Sequence, residues 1–366
     1  MTTKDILTPN TPSLGFGAMR LPDAKETTQM VDAYMDSGYN YFDTAYAYGG
    51  SEELLKKTLV QRHPRDSYMV ANKLPPWELK KAADCDKVFK KSLQRCGLDY
   101  FDFYLMHSLT DDRDKLITDI GMFEWAFEQK KRGLIKHVGF SFHGTTPYLE
   151  QLLKRHPQSE FVQLQLNYVD VLRGNAGEWQ ALAIKYNQPI IVMEPIRGGT
   201  LAKLPASAEA LLKARDPSRS ISSWALQYAA TLEGTTSTLS GMSSLAQMQD
   251  NLKTFRNLKP PTPDELELLE NVLVEMNKEA GIACTACKYC HEHCPRGIDI
   301  AACFSMYNEY MRNKADSGGW NRSMMYGVLA DERKADKCTS CGACVGHCPQ
   351  KLDIPAGLKS VAKAFG

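Results

Sequence analysis

Eight cysteines fall into two runs of one spacing. Cys284, Cys287, Cys290 and Cys294 sit in "CTACKYCHEHCP", and Cys338, Cys341, Cys344 and Cys348 in "CTSCGACVGHCP". C-x2-C-x2-C-x3-C-P is the spacing by which four thiolates reach a [4Fe–4S] cube, with the proline turning the chain away after the last ligand. Two runs therefore predict two clusters. Four-cysteine zinc sites are the competing reading, but they set two C-x-x-C pairs well apart rather than packing four thiols into one short run. A second group of residues has a different chemistry. Asp43 and Tyr48 lie in "FDTAYAYGGSE", Lys73 closes "VANK" and His107 stands in "LMHS", each just after a short apolar run. Reduction of a carbonyl needs hydride at carbon and a proton at oxygen, and a phenol of ordinary pKa about 10 is a poor acid at neutral pH. A cation beside it corrects that. Lys73 is expected to lower the Tyr48 pKa, Asp43 to fix the ammonium, and His107 to donate to the oxygen as charge builds on it.

The elements that must position these residues alternate. Between residues 14 and 256, short β-rich runs such as "LGFGA", "NYFDTA", "SYMVANK" and "PIIVMEP" each precede a longer amphipathic stretch, giving eight βα units. Near-continuous apolar strands with crossover helices imply a parallel sheet, and eight such units suggest a closed (β/α)8 TIM barrel with its active site at the C-terminal strand ends. The expected division is a barrel over 1–260, a linker helix over 261–281 built on "PDELELLENVLVEMNKEAG", and a small, mostly helical domain over 282–366. The two cysteine runs, offset by 54 residues, are the only internal repeat. In two-cluster ferredoxins the fourth cysteine of each run ligates the other cube. On that pattern Cys284, Cys287, Cys290 and Cys348 hold one cluster, and Cys338, Cys341, Cys344 and Cys294 the other.

Residues 14 to about 256 resemble the aldo-keto reductase family: "LGFGAMRLP", "FDTAYAYGGSE", "GLIKHVGFS" and "GMSSLAQMQDNL" occur in family order around the Asp/Tyr/Lys/His set. With the tail, the chain resembles the subgroup that carries a C-terminal ferredoxin-like domain with two cluster motifs. The resemblance implies a nicotinamide cofactor. Its carboxamide falls to Ser141 and Gln163, its ring to Met193, and its pyrophosphate and adenosine to the "EPIRGG" turn (Pro195, Arg197, Gly198) and to Gly241, Ser243, Gln247 and Asn251. Met193 replaces a common stacking aromatic, and Phe142 a common asparagine. Gly241 and Gln247 replace the Lys and Arg that clamp the 2′-phosphate of NADPH in many relatives, so NADH is favoured over NADPH.

Composition narrows the rest. The chain has 366 residues, 43% of them hydrophobic and 24% charged, with formal net charge +1. These values describe ordinary globular material. No basic run follows a phosphate backbone and no apolar run approaches a membrane span, so neither nucleic acid nor a membrane is an expected partner. The N-terminus lacks the apolar core of a signal peptide and the cluster motifs need reduced thiols, which points to the cytoplasm. Cys85, Cys96 and Cys303 lie on apolar helix faces and read as core. His143 lies near the pocket by resemblance or caps the next helix, while His291 and His293 read as solvated loop residues. The expected function is an oxidoreductase that reduces an aldehyde or ketone and couples to one-electron transfer through the clusters. Hydride does not readily split into single electrons. The alternatives are therefore a flavin- or ferredoxin-linked reductase in which the clusters feed the barrel site, with a soluble ferredoxin or flavodoxin as partner, and a redox sensor or electron carrier with a vestigial barrel site.

Overall fold

The computed structural model describes residues 13–278, 281–284, 288–312, 326–327, 329–348 and 350–365. The chain forms two compact units. The first takes the chain to Asn167, then Glu178–Arg197 and Ser223–Pro260; the second takes Tyr168–Gly177, Gly198–Ser222 and the chain from Pro261 on.

The first unit is a closed barrel of eight parallel strands in chain order. They are β1 (Leu14–Gly17), β2 (Tyr41–Asp43), β3 (Met69–Leu74), β4 (Phe101–Leu109), β5 (Ile135–Phe142), β6 (Phe161–Gln165), β7 (Ile190–Met193) and β8 (Thr235–Ser240). β1 closes on β8 through Leu14 opposite Thr238 and Phe16 opposite Ser240. Inside, Tyr41, Ala71, Phe103, Leu105, Phe161, Ile191 and Leu239 pack into one buried cluster. Burial on both faces is why these strands read as apolar runs rather than as alternating patterns. Gly139 lets β5 and β6 approach: a Cβ there would lie 2.5 Å from the Phe161 carbonyl oxygen.

The helices following the strands in this unit show the expected stripe. They include α1 (Ala24–Asp36), α2 (Ser51–Leu55, running into a π-helical turn at Lys56–Val60) and α3 (Ala83–Cys96). α3 buries Cys85, Val88, Phe89, Ser92 and Cys96 and ends on Gly97 in the left-handed region. Both thiols are thus core residues. After β4 come α4 (Asp114–Ile120) and α5 (Met122–Lys131), separated by Gly121. α6 (Thr146–Arg155) follows β5.

Between β6 and β7 the chain makes α7 (Tyr168–Arg173) and α8 (Ala176–Lys185); between β7 and β8 it makes α9 (Ala206–Arg215) and α10 (Ile221–Ala230), and after β8 comes α11 (Leu245–Arg256). In the second unit α7 and α9 join α12 (Pro263–Lys278), α13 (Ile300–Arg312) and α14 (Ile354–Phe365). Arg173 pairs with Glu270, and Arg219 with Glu265 at 3.3 Å. Around the cysteine runs, Ile298, Ile300, Cys303, Phe304, Leu329, Ile354, Leu358 and Val361 form a small core. Among the described residues no helix is long and apolar enough to cross a membrane.

Candidate active site and cysteine loops

Barrel closure brings the four strand-end residues to one place. Lys73, fully buried at the end of β3, donates from Nζ to Asp43 Oδ1 at 2.5 Å and to the Thr44 carbonyl at 2.8 Å. The same ammonium lies 4.8 Å from the centre of the Tyr48 ring. Tyr48 and His107 meet edge to face, 5.9 Å between centres. Burial works against the Lys73 charge, but Asp43 and then Tyr48 outweigh it, and its pKa ends above the ordinary value. The cation is therefore permanent at neutral pH.

The phenol is pulled both ways. Burial raises the Tyr48 pKa, the Lys73 charge draws it back, and the net result stays above the ordinary value. Lys73 does exert the expected downward pull, but desolvation of the phenolate is larger. His107 is held well below its usual range by burial, then by Lys73, His143 and Arg113. Its ring is neutral, and Nδ1 is buried without a hydrogen-bond partner. An orphaned N–H costs more than an unused lone pair, so the proton belongs on Nε2.

Around this centre, Gln163 Nε2 donates to Asp43 Oδ2 at 3.0 Å, and the Ser108 amide donates to Ser141 Oγ at 2.7 Å. Ser141 and Gln163 are register partners on β5 and β6. Among the described residues the Gln163 amide oxygen and the Ser141 hydroxyl proton have no other hydrogen bond. One free acceptor beside one free donor suits a primary carboxamide. Met193 is half-buried at the end of β7, and Pro195 and Arg197 are buried. Gly198, at φ +66, falls in the second unit.

The start of α11 has spent much of its hydrogen-bonding capacity. Ser244 caps it by accepting from the Gln247 amide, Gln247 Oε1 accepts from the Ser243 amide at 2.8 Å, and Asn251 Nδ2 donates to Ser240 Oγ at 2.6 Å. Glu26 Oε1 accepts from the Leu245 amide at 2.9 Å, placing a carboxylate at this helix N-terminus. Gly241 is exposed with open space around it.

Sequence reasoning missed Glu26, and also Trp77 beside His107 and Arg113 beside Trp77. Trp77 lies 5.1 Å from the His107 ring, and the Arg113 guanidinium sits 5.0 Å over the same indole. Their signals were a lone tryptophan after "KLPP" and a lone arginine in the acidic run "DDRD", neither of which names a partner. His143 is partly buried, with its pKa pushed down to about 4 by burial and then by Arg113.

In the second unit, Cys294, Cys338, Cys341 and Cys344 line one pocket, and Cys284, Cys290 and Cys348 another. Cys287 lies outside the described residues. The fourth cysteine of each run thus stands with the other run's thiols. Burial raises the Cys344 pKa, and the neighbours Cys294, Cys338 and Cys341 push the same way. Among the described residues no three His, Cys, Asp or Glu side chains close tightly enough to hold a single ion. Four thiols around one pocket and three described thiols around the other, each set drawn from both runs, match the crossed ligand pattern of a two-cluster ferredoxin. Of the loop histidines, His291 lies 3.1 Å from Asp299, and His293 stacks on His347, each one residue before its run's fourth cysteine.

Comparison with known proteins agrees with both halves. Residues 13–273 match the family model described as aldo/keto reductase family, and residues 283–352 that described as 4Fe-4S dicluster domain. An aldo-keto reductase of Mycolicibacterium vanbaalenii is 28% identical over 246 residues, covering 67% of this chain and 82% of the relative. The uncharacterized oxidoreductase YqkF of Bacillus subtilis is 26% identical, covering 70% and 91%. Among solved structures, the holo form of aldo-keto reductase AKR11C1 from Bacillus halodurans superposes with TM-score 0.60 at 25% identity, covering 71% of this chain and 91% of that one.

Proposed function

The chain belongs to the aldo/keto reductase family and carries a 4Fe-4S dicluster domain behind its barrel; from that premise we propose that it reduces a small carbonyl compound with Tyr48 as the proton donor. The observation that carries this reading is the buried Lys73 ammonium, fixed by Asp43 and facing the Tyr48 ring. A phenol whose conjugate base is desolvated needs such a cation to give up its proton at neutral pH.

NAD(P)H, when bound, supplies hydride to the carbonyl carbon. Tyr48 gives its hydroxyl proton to the carbonyl oxygen, and Lys73 holds the resulting phenolate. His107 donates from Nε2 to the same oxygen as negative charge develops, which a neutral imidazole can do without a charge penalty. Asp43 anchors Lys73 through one oxygen and is itself anchored by Gln163 through the other. Ser141 and Gln163 orient the carboxamide.

NADH is favoured over NADPH in this reading. Gly241 and Gln247 offer no cation to a 2′-phosphate, and the Glu26 carboxylate at the start of α11 repels one. The two thiol sets hold two [4Fe–4S] clusters, which supply one-electron chemistry when bound. A soluble carrier of ferredoxin or flavodoxin type is the partner that chemistry calls for.

The test is turnover of a small aldehyde by anaerobically purified protein, with NADH and separately with a reduced low-potential donor. Tyr48→Phe is expected to lose about 10²- to 10⁴-fold in rate, the usual worth of a positioned general acid. A variant that keeps most of its activity with either donor refutes Tyr48 as the acid. Flavin bound in stoichiometric amount would instead support clusters feeding the barrel site.

A further inference from the structure

We propose that Arg113 is the anion-binding residue of the substrate pocket, so that the carbonyl compound reduced here also carries a carboxylate. This deepens the carbonyl-reductase reading and rests on it for the identity of the reacting group.

Among the described residues Arg113 makes no ion pair with a carboxylate, although carboxylates surround it in sequence. Arg62, Arg65, Arg95 and Arg155 each pair with a carboxylate: Asp32, Asp102, Glu52 and Asp114. Arg113 has three aspartates within two residues, yet none is its partner. Asp111 is taken by the Thr145 amide at 2.8 Å and the Thr145 hydroxyl at 2.5 Å. Asp114 is taken by Arg155 and by the Tyr148 hydroxyl at 3.0 Å. Asp112 makes no ion pair among the described residues.

The guanidinium is nonetheless held in place. Nη1 donates to the Ser108 carbonyl at 2.7 Å and to its hydroxyl at 3.2 Å, and the plane rests over Trp77. Ser108 has φ +53, at a break in the β4–β5 register directly after His107. Among the described residues Nε and Nη2 form no hydrogen bond. That unused edge is the side-on fork that meets a carboxylate with two parallel N–H···O bonds.

The position fits the reaction. The guanidinium and the His107 imidazole both pack on Trp77, 5.0 Å and 5.1 Å from its ring, so the two lie within about 10 Å of each other. A substrate whose carbonyl oxygen meets Tyr48 and His107 therefore reaches Arg113 with a carboxylate a few bonds away. Trp77 is 46% exposed and offers an apolar surface to the carbon body between the two ends. A purely structural arginine would brace Ser108 equally well but would not distinguish charged from neutral substrates.

The experiment compares 4-carboxybenzaldehyde with benzaldehyde, which share a reacting group and differ by one carboxylate. The anaerobic holoprotein is assayed with NADH and with a reduced low-potential donor, and binding of both compounds is followed by calorimetry. Wild type is expected to favour the carboxylate in kcat/KM by at least about tenfold, or about 1.4 kcal/mol. Arg113→Gln should bring that ratio close to one whatever rate loss the two substrates share, and Arg113→Lys should restore part of it. A wild-type ratio near one, or a ratio that survives in Arg113→Gln, overturns the assignment and leaves Arg113 as a brace for Ser108. If neither aldehyde is reduced with any donor, the carbonyl-reductase reading fails, and the calorimetric ratio decides Arg113 by itself: a carboxylate preference lost in Arg113→Gln sustains the anion site, and its absence from wild type removes it.

Discussion

Burial raises the Tyr48 pKa and the Lys73 ammonium draws it back, and on the proposed function that cation is what lets Tyr48 act as the acid. With Lys73 removed, desolvation of the phenolate is uncompensated and the Tyr48 pKa moves further up. Lys73→Met is therefore expected to shift the alkaline limb of the kcat profile to higher pH and to lower the rate at neutral pH by on the order of 10². A pH-rate profile with an unmoved limb would show that Lys73 does not tune the acid. The same substitution leaves Asp43 buried with Gln163 as its remaining side-chain partner. Breaking a buried pair typically costs about 3–5 kcal/mol, so circular dichroism must first show a folded barrel. That Asp43, Tyr48, Lys73 and His107 belong together was legible from their types and strand-end positions. The net direction of the phenol's shift was not, because it is a difference between desolvation and charge that depends on how deeply the ring is buried.

At the scale of the element, the proposed coenzyme preference rests on the first turn of α11. The amides of Ser243, Leu245 and Gln247 there are already engaged by Gln247, Glu26 and Ser244. The sequence shows that cations are missing at Gly241 and Gln247, but the carboxylate comes from α1, more than two hundred residues earlier, and only barrel closure through β8 and β1 brings it there. The expected outcome for the native protein is tighter binding of NADH than of NADPH. The triple change Gly241→Lys, Glu26→Gln, Gln247→Arg should improve NADPH affinity by about tenfold relative to NADH, or about 1.4 kcal/mol. Gly241 tolerates a side chain, since open space surrounds it. Fluorescence titration of both coenzymes checks this, and a native preference for NADPH would mean that another residue supplies the clamp.

For the whole molecule, the two units make separate demands on the same chain. Anaerobically purified protein is expected to contain close to eight iron and eight acid-labile sulfide per chain, because both cysteine runs are complete. Stoichiometric zinc with little iron would refute the cluster assignment. Cys348→Ser should perturb the cluster shared with Cys284 and Cys290, and Cys294→Ser the one shared with Cys338, Cys341 and Cys344, as the grouping of thiols around the two pockets implies. Electron paramagnetic resonance of the reduced variants reports which cluster changes; loss confined to the variant's own run would exclude crossed ligation.

The sequence by itself determined the eight βα units, the two cysteine runs and the strand-end tetrad, because these follow from periodicity, spacing and residue type within short stretches of chain. It did not show that α7 and α9, which interrupt the barrel's βα units, pack with the second unit, since that depends on partners found in α12 and beyond. Nor did it show Glu26 against α11, Gln163 behind Asp43, or Arg113 over Trp77. Each is an ordinary residue in its own segment, and its placement comes from what barrel closure and loop packing set opposite it.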